Sequence, residues 1–225
     1  MGKKLTIVQN HLTQEAKNGN RVAQVALIDA YQHNKYGFAL TDANQKIILM
    51  FLTEFSKNNP LLRPILIRAY KDGDFGINYK RQKNARMGKK LALQYIDSPN
   101  IGDLIIEAMT EERLTFKPHL NCLPLIMKLA FEFKNKNAQV FLLRCYITGK
   151  YGADFPKKKL FRDIMEKLEP YADINSDLAT LIISIWEQNL LGIKDKKELQ
   201  VEQFRIKNRF IQKSFKEYQR ENFFY

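Results

Sequence analysis

The stretch Ala30-Tyr31-Gln32-His33-Asn34-Lys35-Tyr36-Gly37 decides the fold, because similar stretches recur along the chain. The clear copies are Ala69-Tyr70-Lys71-Asp72-Gly73-Asp74-Phe75-Gly76 and Cys145-Tyr146-Ile147-Thr148-Gly149-Lys150-Tyr151-Gly152. Two degenerate copies begin at Ala108-Met109 and Ile185-Trp186 and end at Leu114-Thr115 and Leu191-Gly192. The closing positions 37, 76, 115, 152 and 192 are separated by 39, 39, 37 and 40 residues. A period of this length is typical of helical repeat proteins.

Each copy closes a predicted helix, which we call the A helix of its repeat. Apolar or small residues occupy the positions one, four and five before the first aromatic, as Ala30, Leu27 and Ala26 do before Tyr31. These positions form one apolar stripe at helical spacing. The glycine at the end of the stretch fits a residue with positive φ just beyond the helix.

A second helix, the B helix, is predicted after each copy. The B helices are expected at 42–57, 79–96, 120–135, 156–169 and 197–222, after an opening cap helix at 4–17. No alternating strand pattern of useful length appears. The sequence therefore predicts an all-α fold, an α/α solenoid of about five helix pairs. The chain is predicted as one domain, with a cap at 1–19, repeats at 20–59, 60–98, 99–136, 137–173 and 174–196, and a C-terminal helix with an aromatic tail at 197–225.

The repeat pattern A-Y-x-x-G-x-[YF]-G, with Asp42 or Asp154 opening the second helix, resembles the Sel-one-like repeats of the tetratricopeptide-like superfamily. The resemblance covers residues 20–196. It departs from the family in a loop one residue longer and in charged residues two positions before the aromatic. The resemblance implies a protein-interaction scaffold without catalytic residues or cofactors, so no functional residue is carried over.

Composition and motifs narrow the class of protein. The chain has 225 residues, 45% of them apolar and 12% aromatic, which is enough to form a packed core. No apolar run is long enough to span a membrane, and the N-terminal apolar stretch is too short for a signal peptide, so we expect a cytoplasmic protein. We find no glycine-rich phosphate loop, paired-histidine metal motif or nucleophile elbow. The sequence predicts no enzyme and no cofactor.

The cysteines and histidines give no metal-site pattern. Cys122 and Cys145 are too few for a disulfide framework. His119 and Cys122 are spaced like a pair of ligands, but a structural zinc site needs four. We interpret them as a loop histidine and a buried thiol.

The net charge of +13 is concentrated in three segments. Segment 79–96 carries six basic residues and no acidic one, while segments 156–167 and 194–221 also carry a basic excess. On the second B helix a basic face is predicted opposite Met87, Leu91 and Tyr95. The candidate residues for an anionic partner are Lys83, Arg86, Lys89, Lys90, Lys157, Lys158 and Lys159. The alternatives are a solvated lysine-rich surface and a site for nucleic acid, an acidic protein or anionic lipid.

Two rows of residues are candidates for binding a protein partner. The residues two positions before the aromatic alternate in charge along the repeats: Asp29, Arg68, Glu107 and Arg144. They predict either a ladder of ion pairs between successive A helices or four unrelated solvated side chains. The neighbouring apolar row consists of Ile28, Ile67, Ile106, Leu143 and Ile183. It predicts either packing between A helices or the floor of a groove for an amphipathic peptide.

The remaining patterns leave alternatives as well. The aromatics at the ends of the A helices are interpreted as core stacking rather than a base-binding platform: Tyr31, Tyr70, Tyr146 and Trp186. In the last helix an apolar stripe with one polar break runs through Val201, Phe204, Asn208, Ile211, Phe215 and Tyr218. This stripe either caps the solenoid or forms the seam of a homodimer.

The sequence thus predicts a non-enzymatic scaffold or adaptor that binds a protein or peptide, with a regulatory, secretion-related or immunity role. The alternative is a basic solenoid that binds nucleic acid non-specifically through its B helices.

Overall fold

The computed structural model describes residues 6–153 and 158–223, with side chains for 6–153 and 160–210. The first six α-helices are α1 Ile7–Lys17, α2 Arg21–Gln32, α3 Asp42–Phe55, α4 Arg63–Arg68, α5 Gln82–Gln94 and α6 Ile101–Thr110. The other five are α7 Leu123–Met127, α8 Lys136–Thr148, α9 Lys158–Leu168, α10 Ser176–Glu187 and α11 Lys196–Phe223. Short turns of 3-10 helix lie at Pro60–Leu62 and Glu169–Ile174, and turns of π-helix lie at Ala69–Gly73 and Lys128–Glu132.

The all-α class is confirmed, since no strand occurs in the part of the chain that the structure describes. The predicted A helices correspond to α2, α4, α6, α8 and α10, and the predicted B helices to α3, α5, α7, α9 and α11. This alternation is compatible with an α/α solenoid.

The chain divides into two compact units, Met1–Lys117 and Pro118–Tyr225. In the first unit each helix from α1 to α6 contacts the next one along the chain, and the A helices α4 and α6 also contact each other. In the second unit α8 contacts α7, α9 and the A helix α10, which in turn contacts α11. The boundary between the units lies inside the repeat predicted at 99–136.

The stretch that closes each A helix folds into a recurring turn. Tyr36 and Gly37 both have positive φ, of 53° and 79°, and the Phe38 amide donates to the Lys35 carbonyl at 2.9 Å. This is the pattern of a type I′ turn. The same turn recurs at Phe75-Gly76, Leu114-Thr115 and Tyr151-Gly152. The predicted positive φ after the A helix is therefore confirmed at the glycines of these copies.

The degenerate third copy keeps this turn without a glycine. Leu114 and Thr115 have φ of 51° and 62°, and such values are unusual for a β-branched residue. Leu114 is 3% exposed and Phe116 is fully buried. Burial of the side chains on either side of Thr115 holds the backbone in this conformation.

Equivalent polar bridges join each of three A helices to the start of the next one. Asn59 caps the turn before α4, and its amide nitrogen donates to Gln24 Oε1 in α2 at 3.1 Å and to the Arg21 carbonyl at 3.0 Å. Asn175 caps α10 and donates to Gln139 Oε1 in α8 at 3.2 Å. A third bridge joins Arg63, at the start of α4, to Ser98, just before α6. The bridges were not predicted, although in each of them one partner, Gln24, Arg63 or Gln139, lies seven residues before the aromatic of its own repeat.

The aromatics that end the A helices lie in the core, as the sequence interpretation had it. Tyr31 is 9% exposed, Tyr146 1% and Trp186 4%, and Tyr70 is half-buried. Tyr146 stacks on Phe161 of α9 with ring centroids 5.8 Å apart. These rings are therefore not a surface on which bases could stack.

Helix α5 packs mainly through small residues, and of its predicted apolar face only Met87 is wrong, since Tyr95 is buried and Leu91 is partly buried against the core. Its buried side consists of Ala85, Gly88, Ala92 and, at the helix end, Tyr95. A side chain at Gly88 would lie only 2.7 Å from Tyr70 Cβ and 2.5 Å from Leu114. Because the helix approaches its neighbours this closely, the bulky Met87 is turned outward and is 41% exposed.

Helix α11 packs through a different face from the one predicted. Ile206 and Phe210 are buried, whereas Val201 and Phe204 of the predicted stripe are 64% and 69% exposed. The prediction that this stripe caps the solenoid is therefore wrong for its first part, Val201 and Phe204. The side chains of Ile211, Phe215 and Tyr218 lie outside the described residues, as does the end of the aromatic tail. The dimer seam stays a prediction.

The rotation of α11 is set by ion pairs with Glu169, at the start of the 3-10 turn before α10. Glu169 is 11% exposed and pairs with Arg205 at 2.6 Å and Arg209 at 2.7 Å. Burial raises the pKa of Glu169, but the two guanidinium groups more than offset this, so its pKa lies below the ordinary value. These bonds turn Ile206 and Phe210 toward the core.

We expect Glu169→Gln to lower the free energy of unfolding of the second unit by about 1–3 kcal/mol at neutral pH, because the guanidinium groups of Arg205 and Arg209 each lose one of their two carboxylate partners and keep only Glu202 and Asp173. Since the native pKa of Glu169 is lowered, its contribution is complete above the unfolded pKa of about 4.3 and disappears as pH falls through the native value. Urea unfolding followed by Trp186 fluorescence measures this.

The control is Glu166→Gln, which removes a carboxylate from an exposed pair with Arg162 and should cost under about 1 kcal/mol. A Glu169→Gln deficit that stayed the same from neutral to strongly acidic pH would contradict the role of the carboxylate charge.

Candidate functional site

Four of the five residues of the apolar row proposed as a groove floor are part of the core, and the fifth, Ile183, is half-buried. Ile28, Ile67 and Leu143 are fully buried and Ile106 is 6% exposed. A partner peptide cannot reach side chains that have no accessible surface. Of the two interpretations, burial supports packing inside the protein and contradicts the groove floor.

The carboxylates of the predicted charge ladder pair with lysines that the ladder did not include. Asp29 pairs with Lys35 at 2.8 Å and Glu107 pairs with Lys71 at 3.0 Å. Both lysines follow the ends of A helices, close enough for their ammonium groups to reach the carboxylates. Arg68 and Arg144, the expected partners, are exposed. The hydrogen bond from Lys35 lowers the pKa of Asp29.

Two residues of that row, Arg68 and Glu107, nevertheless line one cleft of about 460 Å³ in the first unit. Helix α4 forms one wall, with Ile65 and Arg68 at helical spacing, and α6 forms the other. The remaining lining residues come from the end of α2, from α4, from the turn after α4 and from the start of α6: Gln32, Pro64, Asp74, Asn100, Asp103 and Leu104.

The local structure of α6 explains how its residues reach the cleft. Asn100 precedes the helix in the left-handed conformation, with φ of 64°. Asp103 and Glu107 then lie one helical turn apart, on the same face. Leu104 beside them is 3% exposed and forms part of the floor.

The cleft is acidic although the chain as a whole is strongly basic. Asp74, Asp103 and Glu107 line it, against one guanidinium, that of Arg68. Burial and the nearby charge of Asp72 raise the pKa of Asp74, while Arg68 opposes the shift. The cleft therefore presents one guanidinium on α4 and carboxylates from α6 and from the turn after α4, a charge pattern that a partner segment can match.

A buried lysine supports the wall formed by α6. Lys71 is 2% exposed, and its ammonium group contacts Asp72 at 2.9 Å and both Glu107 and Glu111 at 3.0 Å. Burial lowers the pKa of Lys71, but the three carboxylates raise it above the ordinary value. Arg113 donates to the Lys71 carbonyl at 3.0 Å. We call Lys71 with these four partners the lysine hub. It fixes the π-helical turn after α4 to the end of α6.

The basic candidate residues of α5 are mostly solvent-exposed. Lys83, Arg86 and Lys90 are exposed, and Lys89 is half-buried with its ammonium 4.4 Å from the centre of the Phe116 ring. Lys157 lies outside the described residues, and Lys158 and Lys159 lie in α9 without described side chains. Among the candidate basic residues, exposed side chains are therefore described only on α5, and a basic binding surface stays a prediction.

Sequence reasoning missed most of the cleft. Gln32, Asp74, Asn100 and Asp103 have no shared motif and are brought together only by the packing of α2, α4 and α6. Among the candidate rows only the alternation of Arg68 and Glu107 pointed toward this surface.

The described residues show neither a metal centre nor a reactive thiol. No group of three or more histidine, cysteine, aspartate or glutamate side chains within them could hold a metal ion. Burial raises the pKa of the Cys145 thiol to about 12, with a further contribution from Cys122. A thiol with this pKa is a poor nucleophile at neutral pH.

Comparison with known proteins does not identify a family for this chain. The chain matches no protein-family model, no curated protein and no solved structure. No described helix has both the length and the apolar character to cross a membrane.

Proposed function

We propose that this protein is a non-enzymatic interaction module of the cytoplasm that binds a segment of a partner protein in the cleft between α2, α4 and α6. The observation that carries the proposal is the cleft of about 460 Å³, lined by three A helices. Helical repeat proteins use surfaces formed by successive helices for binding. The resemblance to Sel-one-like repeats agrees with the same role.

The chemistry of the lining favours recognition over catalysis. Pro64, Ile65 and Leu104 supply apolar contact area, and the charged groups around them supply orientation. The lining contains no thiol, hydroxyl or imidazole group. Such a cleft can hold a side chain of a partner in place.

Site-specific photo-crosslinking tests the proposal. A photoreactive residue at Gln32, on the cleft, should capture one discrete protein from nuclease-treated native lysate, identified by mass spectrometry. The same residue at exposed Thr180 in α10 should not capture it. Replacing both Arg68 and Asp103 by their neutral isosteres, Gln and Asn, should reduce capture at least about tenfold, since charged contacts at a partner site contribute on the order of 1–3 kcal/mol.

The matched control is Arg144→Gln, which changes the equivalent position in the second unit. Capture that is equal from Gln32 and Thr180, or that survives the Arg68/Asp103 double substitution, contradicts the cleft as the binding site.

A further inference from the structure

The solvent face of α5 combines cations with large apolar side chains. Lys83, Arg86, Met87, Lys90 and Leu93 follow one another at helical spacing on the side opposite the buried Ala85, Gly88 and Ala92. Met87 is 41% and Leu93 40% exposed. We call these five residues the α5 face. At the rise of an α-helix it is about 15 Å long.

Within residues 6–153 and 160–210, the cations of the α5 face have no acidic partner. None of Lys83, Arg86 and Lys90 forms a salt bridge with a carboxylate of the described residues. Elsewhere several lysines do pair, as Lys35 does with Asp29 and Lys207 with Glu187. No acidic residue occurs between Asp74 and Asp97 in the sequence. The positive potential of the face is therefore not neutralised locally.

The packing of α5 explains why the apolar side chains are outside. The contact of Gly88 with Tyr70 and Leu114 leaves no room for a larger residue on the buried side. The helix therefore buries its small residues and exposes Met87 and Leu93 among the cations. About two-fifths of the surface of each of these two side chains remains accessible to a partner.

We propose that the α5 face binds the surface of an anionic lipid bilayer. Lysine and arginine are attracted to acidic headgroups, with a gain in affinity for each cation near the surface. Met87 and Leu93 lie between those cations, where they can enter the boundary between headgroups and acyl chains. The phosphate backbone of a nucleic acid would use the cations but leave both apolar side chains in water.

This inference is independent of the cleft, because it uses a different helix face and different chemistry. Together the two sites would let the protein hold a partner segment near a membrane surface. Vesicle binding can fail while crosslinking at Gln32 succeeds, and the reverse, so the two proposals are tested separately.

Vesicle flotation tests the α5 face. The full-length protein should float with vesicles of phosphatidylcholine and phosphatidylserine and remain behind with vesicles of phosphatidylcholine alone, at about 0.1 M salt where surface charges still act over about 10 Å. Lys83→Gln with Lys90→Gln should weaken binding about fivefold for each lysine removed. The control Arg21→Gln with Lys46→Gln removes two exposed cations elsewhere in the first unit and should change binding less than twofold.

A second variant separates lipid from nucleic acid. Met87→Gln with Leu93→Gln keeps every charge and should weaken vesicle binding roughly tenfold, since it removes the apolar insertion. Retention of a fluorescent DNA duplex and of an RNA is measured for the same proteins. Far-UV circular dichroism checks that the variants are folded.

The proposal is overturned by any of three results: no flotation with anionic vesicles, unchanged flotation of the Met87/Leu93 variant, or tighter binding of nucleic acid than of vesicles at the same salt.

Discussion

Replacing Asn175 with alanine should lower the free energy of unfolding of the second unit by about 2–4 kcal/mol, because one change removes a helix cap and a buried bridge. The Asn175 amide nitrogen donates to the Lys136 carbonyl at 3.0 Å and to Gln139 Oε1 at 3.2 Å. Its side-chain oxygen accepts from the Leu178 amide at 3.2 Å. Gln139, which is 1% exposed, would lose this donor in a place where water cannot replace it.

Urea unfolding measures this loss of unfolding free energy. It is followed by the fluorescence of Trp186, the single tryptophan of the chain, which lies in the helix that Asn175 caps. Asn175→Ser is the matched control, because serine keeps an oxygen for the cap but has no amide to donate across the bridge. The unfolding free energy of Asn175→Ser should lie between those of the wild type and Asn175→Ala. If both variants unfold within about 0.5 kcal/mol of the wild type, the bridge does not contribute to stability.

The equivalent bridge in the first unit rests on Asn59, which is fully buried. As at Asn175, the side-chain amide nitrogen donates to a glutamine oxygen, here Gln24 Oε1 at 3.1 Å, and to a backbone carbonyl, that of Arg21.

Substituting Lys71 with methionine should destabilise the first unit by roughly 2 kcal/mol, because three carboxylates would then repel each other without the central ammonium. Asp72, Glu107 and Glu111 are each between 34% and 43% exposed, so water screens part of this repulsion. The methionine fills most of the volume of the lysine stem, which limits the effect to charge. Hydrogen exchange of peptides spanning 63–73 and 101–111 measures the change.

Lys57→Met is the control, since Lys57 pairs with Glu54 on an exposed surface and should cost no more than about 0.5 kcal/mol. Adding Glu107→Gln to Lys71→Met should recover part of the loss by removing one of the repelling charges. If the two lysine variants exchange at the same rate, the hub is not a stabilising element.

The elements of the fold could be read from the sequence because the repeat fixes where each helix ends. The residues that close the A helices do adopt the expected left-handed conformation at Gly37, Gly76, Gly152 and Gly192. Of the aromatics at the ends of the A helices, Tyr31, Tyr146 and Trp186 are in the core and Tyr70 is half-buried. Helix boundaries moved where a cap intervened: α1 begins at Ile7 rather than at position 4, because Thr6 and Gln9 form a capping box.

The faces of the B helices were harder to predict than their positions. Met87 was expected inside because it is apolar, yet the close approach at Gly88 buries small residues and turns Met87 out. In α11 the helix orientation that allows the ion pairs with Glu169 buries Ile206 and Phe210, and it leaves Phe204 of the more regular stripe exposed. Hydrophobic periodicity records where apolar residues occur but not which neighbour approaches them.

The candidate site depended on packing still more. Its carboxylates come from positions 74, 103 and 107 and its guanidinium from position 68, and only the last two belong to a repeating pattern. The apolar row at Ile28, Ile67, Ile106 and Leu143 was the clearer sequence signal and belongs to the core. A regular row is expected of core residues in any repeat protein, so regularity alone does not indicate a binding surface.

The distribution of charge in the first unit has a physical consequence of its own. The cleft between α4 and α6 carries an excess of carboxylates, while the side of α5 that faces away from Tyr70 and Leu114 carries the exposed cations Lys83, Arg86 and Lys90. Opposite charges held at separate places in one folded unit give that unit an electric dipole. In the field of a charged surface such a body experiences a torque before it makes contact. Collisions then occur preferentially in one orientation, and added salt shortens the distance at which this alignment begins.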